Sequence, residues 1–235
     1  MKKRIVSLLL IAVLMLASLS LFACNGGGDD MYLKLVNKQN PVGKDYEPES
    51  IVTLDADYTT GQKEILLEKK TATAVVKMLD AMKEDGITNV TVTSGYRTYD
   101  YQKKLFDRYC SEESEAHPTW SESKVESYVL TYSARPGTSE HQTGLCVDLF
   151  TDEMAGLWNF GSETPDNPWD KGFAETDAYD WLQDHAHEYG FILRFPKNKT
   201  EVTGYSYESW HYRYVGVKAA TEIHEKGITL EEYLD

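Results

Sequence analysis

Apolar positions change their period several times along the chain, and each change marks an element. Between Glu64 and Asp85, residues Leu67, Ala74, Val75, Met78, Leu79 and Met82 recur at helical spacing, which predicts an amphipathic helix ended by Gly86. Val90–Thr93 is short and β-branched and predicts a strand. After the turn Ser94-Gly95, a helix is expected from Thr98 to Cys110, an acidic loop over 111–121, and a helix from Glu122 to Tyr132. Leu145–Phe150, Phe191–Phe195 and Trp210–Val215 predict three further strands, and Asp177–Tyr189 a helix closed by Gly190. Thr229-Leu-Glu-Glu232 is a capping box that opens a terminal helix. Residues 31–60, rich in Pro, Asp and Tyr, predict an extended arm, and 151–175 a long loop. Helices and short strands alternate without a βαβ rhythm. The expected class is α+β, a small antiparallel sheet flanked by helices.

The first residues break this pattern. Lys2, Lys3 and Arg4 precede an apolar run from Ile5 to Leu16 that continues with few breaks to Ala23, an export-signal arrangement and not a core element. Leu21-Phe22-Ala23-Cys24 resembles a bacterial lipobox, which implies a lipid on Cys24 and a mature N-terminus there. Ordinary secretion and an uncleaved anchor are the alternatives, and all three place the remainder outside the cytoplasm. The expected organisation is a signal peptide over 1–24, a flexible Gly- and Asp-rich tether over 25–32, and one domain over 33–235. Outside the cell, Cys110 and Cys146 are free to form a disulfide; two buried thiols are the alternative.

Composition removes several functions. Thirty-eight acidic residues against 24 basic ones give a formal charge of -14, and no basic stripe is available for phosphates. No nucleic-acid partner is expected. The chain carries no Gly-x-Ser-x-Gly elbow, no P-loop and no His-Glu-x-x-His. Ser121 to Lys124 forms a Ser-x-x-Lys without the companion motifs of serine peptidases and lies in an acidic surface stretch, so it reads as coincidence.

Two of the six histidines stand in dense polar and aromatic surroundings. One is in Ser139-Glu-His141-Gln-Thr-Gly144-Leu-Cys-Val-Asp148, the other in Glu208-Ser-Trp-His211. A catalytic zinc takes three N/O ligands and keeps one open position, and His141, Asp148 and His211 supply such a set. Asp148 lies in an apolar strand, where a carboxylate requires a cation or a hydrogen-bond network; a buried Arg would serve equally. Glu208 stands three residues before His211, so the stretch must turn near Ser209 for both to serve one site. A carboxylate there suits a general base, and a surface Glu at a strand start is the plain alternative.

These residues also carry a likeness. Ser94-Gly-Tyr-Arg97-Thr with Gln102, Ser139-x-His141-x-x-Gly144-x-x-x-Asp148 and Glu208-x-Trp210-His211 resemble three motifs of the VanY-type zinc D-alanyl-D-alanine carboxypeptidases and the related L,D-carboxypeptidases. The likeness runs over roughly residues 33–225. It implies Zn2+ in a central cleft held by His141, Asp148 and His211. It implies that Glu208 carries a proton from the attacking water to the leaving amine, and that Arg97 holds the scissile carbonyl or the substrate carboxylate. Tyr96, Gln102 and Ser139 become candidate substrate hydrogen-bonders. Cys146 departs from a position where the family carries a small apolar residue. A thiolate ligand there would close the open position, so a buried thiol or a bridge is expected. The activity implied is removal of the terminal D-alanine from peptidoglycan stem peptides, with D,D-cleavage favoured over the L,D alternative on tetrapeptides. A non-catalytic, zinc-stabilised cell-wall-binding lipoprotein is the rival from another class; Glu208 and Arg97 beside all three ligands speak against it. The expected setting is the outer face of the bacterial cytoplasmic membrane, reached through Cys24, with the protein a monomer.

Overall fold

The computed structural model describes residues 31–152 and 172–235. The leader, most of the tether and residues 153–171 of the expected long loop lie outside the described residues. Two short strands, β1 (Ile51–Thr53) and β2 (Leu66–Glu68), pair antiparallel and precede helix α1 (Lys69–Glu84). Four strands form the main sheet: β3 (Val90–Ser94), β4 (Cys146–Thr151), β5 (Phe191–Leu193) and β6 (His211–Tyr214). Their order is β3-β4-β6-β5, and each neighbouring pair is antiparallel. Helices α2 (Tyr99–Ala116) and α3 (Glu122–Val129) lie between β3 and β4, and α4 (Asp177–His185) precedes β5. A single turn α5 (Thr200–Thr203) precedes β6, and α6 (Val217–Lys226) and α7 (Leu230–Leu234) follow it. The α+β expectation holds.

The expected helix start at Glu64 is displaced to Lys69. Leu66 and Leu67 pair with β1 instead, and the Glu68 carboxylate accepts from the amides of Lys70 and Thr71, capping α1. An acid at a helix N-terminus satisfies otherwise orphaned amides. The acidic loop expected over 111–121 is in part helix: α2 runs on to Ala116 and stops at His117, the residue before Pro118. Glu and Ala sustain a helix, and a proline bars its continuation. Helix α6 was not among the predicted elements. The 177–189 helix tightens into a 3-10 turn over Ala186–Tyr189, and Gly190 closes it at φ 85°. The capping box at Thr229 and Glu232 is present.

Val75, Met78, Leu79 and Met82 on one face of α1 pack in one core with Val92, Val147, Leu149 and Tyr212 of the sheet. Each such side chain, fully buried, contributes about 1.5–3 kcal/mol. A second cluster joins Ile192 and Val215 to Ala219, Ala220, Ile223 and Leu230 of the C-terminal helices. Strand alternation sets Val147 and Leu149 on one face of β4 and Cys146 and Asp148 on the other. All six β4 residues are buried. That second face carries the polar chemistry.

Ser121, of the coincidental Ser-x-x-Lys, is the N-cap of α3 and accepts from the Lys124 amide. Cys110 and Cys146 are free thiols, so no bridge joins them.

Candidate metal centre

One row across three strands builds the site. A register shift between Val92 and Ser94 brings Ser94 opposite Asp148, and Asp148 lies opposite His211 on β6. Directly opposed residues point to the same face, so these three side chains converge. His141 comes from outside the sheet, on a buried 3-10 turn, Glu140–Thr143. Gly144 ends that turn at φ 67°, and a Cβ there would meet the Glu68 amide nitrogen at 2.9 Å. Gly95 is equally constrained, because a Cβ would stand 2.5 Å from the Leu66 carbonyl oxygen. These two glycines let the 94–97 segment and the histidine turn approach β2, where the Tyr96 amide donates to Leu66 O (2.7 Å) and the Arg97 amide to His141 O (3.0 Å).

His141 Nδ1 lies 2.6 Å from the Gly95 carbonyl oxygen. A carbonyl can only accept, so Nδ1 carries the proton and Nε2 presents its lone pair. Nε2 stands 3.3 Å from Asp148 Oδ2, and His211 Nδ1 stands 2.9 Å from Asp148 Oδ1. Two bonds of about 2.0–2.1 Å to one tetrahedral zinc set their donor atoms roughly 3.3 Å apart, the separation between His141 Nε2 and Asp148 Oδ2. Cys146 Sγ and ring nitrogens of His141 and His211 also lie within 4.8 Å of one another. The donors on offer are therefore two imidazoles, a carboxylate and a thiol, a set that suits zinc better than a hard cation.

The electrostatics of the cluster point the same way. Burial and the Arg97 charge push the His141 imidazole down, but Cys146 and Asp148 raise it to about 9. Burial opposes charge on His211 too, yet the facing thiol and carboxylates hold it well above its ordinary value. Burial would raise Asp148, and the two imidazoles hold it well below the usual carboxylate range. Burial also raises the Cys146 thiol, and the same imidazoles bring it down to about 7.

Glu208 Oε2 lies 3.8 Å from His211 Nδ1. The expected turn is present: the His211 amide donates to the Glu208 carbonyl (3.3 Å) across Ser209 and Trp210. Arg97 donates from Nη2 to Asp148 Oδ2 (2.9 Å), and from Nε and Nη2 to Ser94 Oγ (3.1 and 2.8 Å). Of the partners considered for Asp148, the structure shows an arginine beside it, the half-buried Arg97. Among the substrate candidates, Gln102 is buried and donates to the Ala134 carbonyl (2.8 Å), which makes it a tether for the loop after α3. Ser139 is buried at the start of the histidine turn, and Tyr96 is half-buried. The remaining histidines stay apart: His187 stacks on His224, His117 on Trp120, and His185 faces Glu188.

Three charged residues behind the site were not anticipated. Glu140 Oε1 accepts from Arg194 Nε and Arg213 Nη1, both at 2.7 Å, and both arginines are fully buried. The signal of the two arginines was the one used for Asp148, a charge inside an apolar strand or at its end, as in Phe191-Ile-Leu-Arg194 and Tyr212-Arg-Tyr214.

A buried His/Asp/His cluster with a carboxylate and a guanidinium at its edge defines a single-metal hydrolase class. Residues 64–217 match the VanY family, D-alanyl-D-alanine carboxypeptidase, and the chain belongs to that family. A D-alanyl-D-alanine carboxypeptidase of Enterococcus faecalis is 36% identical over 210 residues, covering 89% of this chain and 68% of its own length. A vancomycin-resistance D,D-pentapeptidase VanY, solved in complex with Zn(II), superposes with a TM-score of 0.68 at 34% identity over 87% of this chain and 99% of that one. The LD-carboxypeptidase LdcB superposes with a TM-score of 0.67 at 38% identity, covering 85% and 84%.

Proposed function

We propose that this protein is a zinc-dependent carboxypeptidase that removes the terminal D-alanine from peptidoglycan stem peptides, with D,D-cleavage favoured. The observation that carries this reading is the buried Asp148 carboxylate set between two imidazoles, Oδ2 at 3.3 Å from His141 Nε2 and Oδ1 at 2.9 Å from His211 Nδ1, with Glu208 and Arg97 at its edge. Zinc, when bound, supplies a Lewis acid and lowers the pKa of water. His141, Asp148 and His211 would hold it. Glu208 is placed to accept a proton at a carboxylate oxygen and return it to the leaving amine, which balances the hydrolysis. Arg97 presents a fixed cation where negative charge develops on the carbonyl oxygen, or where the substrate carboxylate ends. Its two bonds to Ser94 hold the guanidinium plane in place.

The test is product analysis on defined pentapeptide and tetrapeptide substrates with and without a chelator. Chelator-sensitive release of D-alanine from the pentapeptide is expected. Release from the tetrapeptide alone would move the assignment to L,D-cleavage, and full activity in the chelated enzyme would end the zinc reading.

Arg97→Lys is expected to be damaging although it keeps the charge. A planar fork can reach Ser94, Asp148 and a substrate oxygen at once, and an ammonium cannot. Wild-type kcat/KM in this variant would demote Arg97 to a structural ion pair with Asp148.

Lipidation at Cys24 belongs to the same proposal. It is supported by Lys2–Arg4, the apolar run after them, and the Leu-Phe-Ala-Cys ending. Two acyl chains suffice for stable anchoring and would hold the enzyme at the outer face of the cytoplasmic membrane, beside its substrate. In the native host the protein should partition with membranes, and Cys24→Ala should lose the lipid-bearing N-terminal peptide by mass spectrometry. Wild-type protein in the medium with an unmodified N-terminus would overturn the anchor and leave the enzymatic reading intact.

A further inference from the structure

Two buried polar atoms without hydrogen-bond partners face each other behind the metal centre: Glu140 Oε2 and His211 Nε2, 3.6 Å apart. Leaving such atoms unpaired in a dry interior is costly, so a proton between them is the economical arrangement. The rest of the Glu140 carboxylate is fixed. Its Oε1 is clamped at 2.7 Å by both Arg194 and Arg213. Arg194 is held in turn by a two-pronged contact with Glu231, Nη1 to Oε2 at 2.8 Å and Nη2 to Oε1 at 2.6 Å. Arg213 Nη2 donates to the carbonyls of Tyr32 and Lys34 at 2.9 and 2.8 Å. Two guanidinium groups balance two carboxylates, and the one oxygen left over points at His211.

We propose that Glu140 is a positioning residue that sets the tautomer of His211. A carboxylate oxygen can only accept, so it holds the proton on Nε2 and leaves the Nδ1 lone pair for the metal. His141 is set by the opposite device, with its proton on Nδ1 under the Gly95 carbonyl. The two imidazoles thus present different nitrogens to one point, each fixed from behind by an acceptor. A carboxylate behind a metal-bound imidazole also raises its basicity, and removing such a partner typically costs 10–100-fold in metal affinity. This inference rests on the metal-centre reading above.

Glu140→Gln is the informative variant. Its amide oxygen can still accept from the arginines, but its NH2 would face Nε2 as a donor and drive the proton to Nδ1. Zinc affinity, measured by chelator competition on the folded protein, should fall about 10–100-fold. Glu231→Gln removes the outer carboxylate of the same ion network without touching His211, and it should keep wild-type affinity. A second readout needs no variant: 15N-coupled imidazole spectra of the zinc-loaded wild type should show the His211 proton on Nε2, which decides the matter even if Glu140→Gln does not fold. Wild-type zinc affinity in Glu140→Gln, equal losses in both variants, or a His211 proton on Nδ1 would overturn the proposal. Failure of the wild type to bind zinc would instead remove the reading on which it rests.

Discussion

Glu208→Gln is expected to lower kcat by about 10²–10⁴-fold while zinc content stays at that of the wild type. The side chain sits 3.8 Å from His211 Nδ1 and is only 14% exposed, a sheltered position beside the proposed metal centre. Glutamine keeps its shape and volume and the turn that delivers it, and removes only the capacity to take a proton. Because that proton moves in the transition state, kcat and kcat/KM should fall together while substrate affinity changes little. Steady-state kinetics beside metal analysis on one preparation checks both halves. A loss smaller than about tenfold would take the proton-carrying role away from Glu208.

Substitutions of the donor residues are expected to separate ligands from neighbours. His211→Ala and Asp148→Asn should each take the protein from about one zinc per chain toward none, with activity lost in parallel. Cys146→Ala should retain both metal and turnover. The thiol is close enough to bind, within 4.8 Å of both imidazoles, but a fourth protein donor would fill the position that catalysis needs open. Asp148 instead bridges both histidines directly, through Oδ2 to His141 and Oδ1 to His211. Zinc content of the three folded variants is the measurement. Loss of metal in Cys146→Ala with retention in Asp148→Asn would make the thiolate the third ligand.

The elements most legible in the sequence were those with one dominant local cause. The capping box at Thr229 and the glycine closing the 177–189 helix acted as expected, because caps and left-handed positions depend on nearby residues alone. The turn between Glu208 and His211 could be inferred because strand alternation made it a geometric necessity. Leu66-Leu67 was misread because a short apolar run suits a helix face and a strand equally, and only its pairing with Val52 and Thr53 decides. In the site, His141, Asp148 and His211 stood out by residue type and spacing. The ion network of Glu140, Arg194, Arg213 and Glu231 joins positions up to 91 residues apart, and no local pattern announces which acid meets which arginine. The fate of the two thiols was equally closed to reading, since it depends on how far apart the fold holds α2 and β4.

Ser94, Asp148 and His211 occupy one rung across β3, β4 and β6. Their spacing is therefore inherited from the hydrogen-bonded ladder, where neighbouring strands lie about 4.7–4.9 Å apart, and not from any loop. Substitution and length change then have opposite consequences. The parts of the connections remote from His141, Arg97 and Glu208 can gain or lose residues over evolutionary time with the rung unchanged. A single inserted or deleted residue inside Cys146–Thr151 or His211–Tyr214 would turn the polar face toward the α1 core. Homologous chains should accordingly vary in length around α2 and α3, and stay gapless within the three strands and from Ser139 to Asp148, where the histidine turn runs directly into β4.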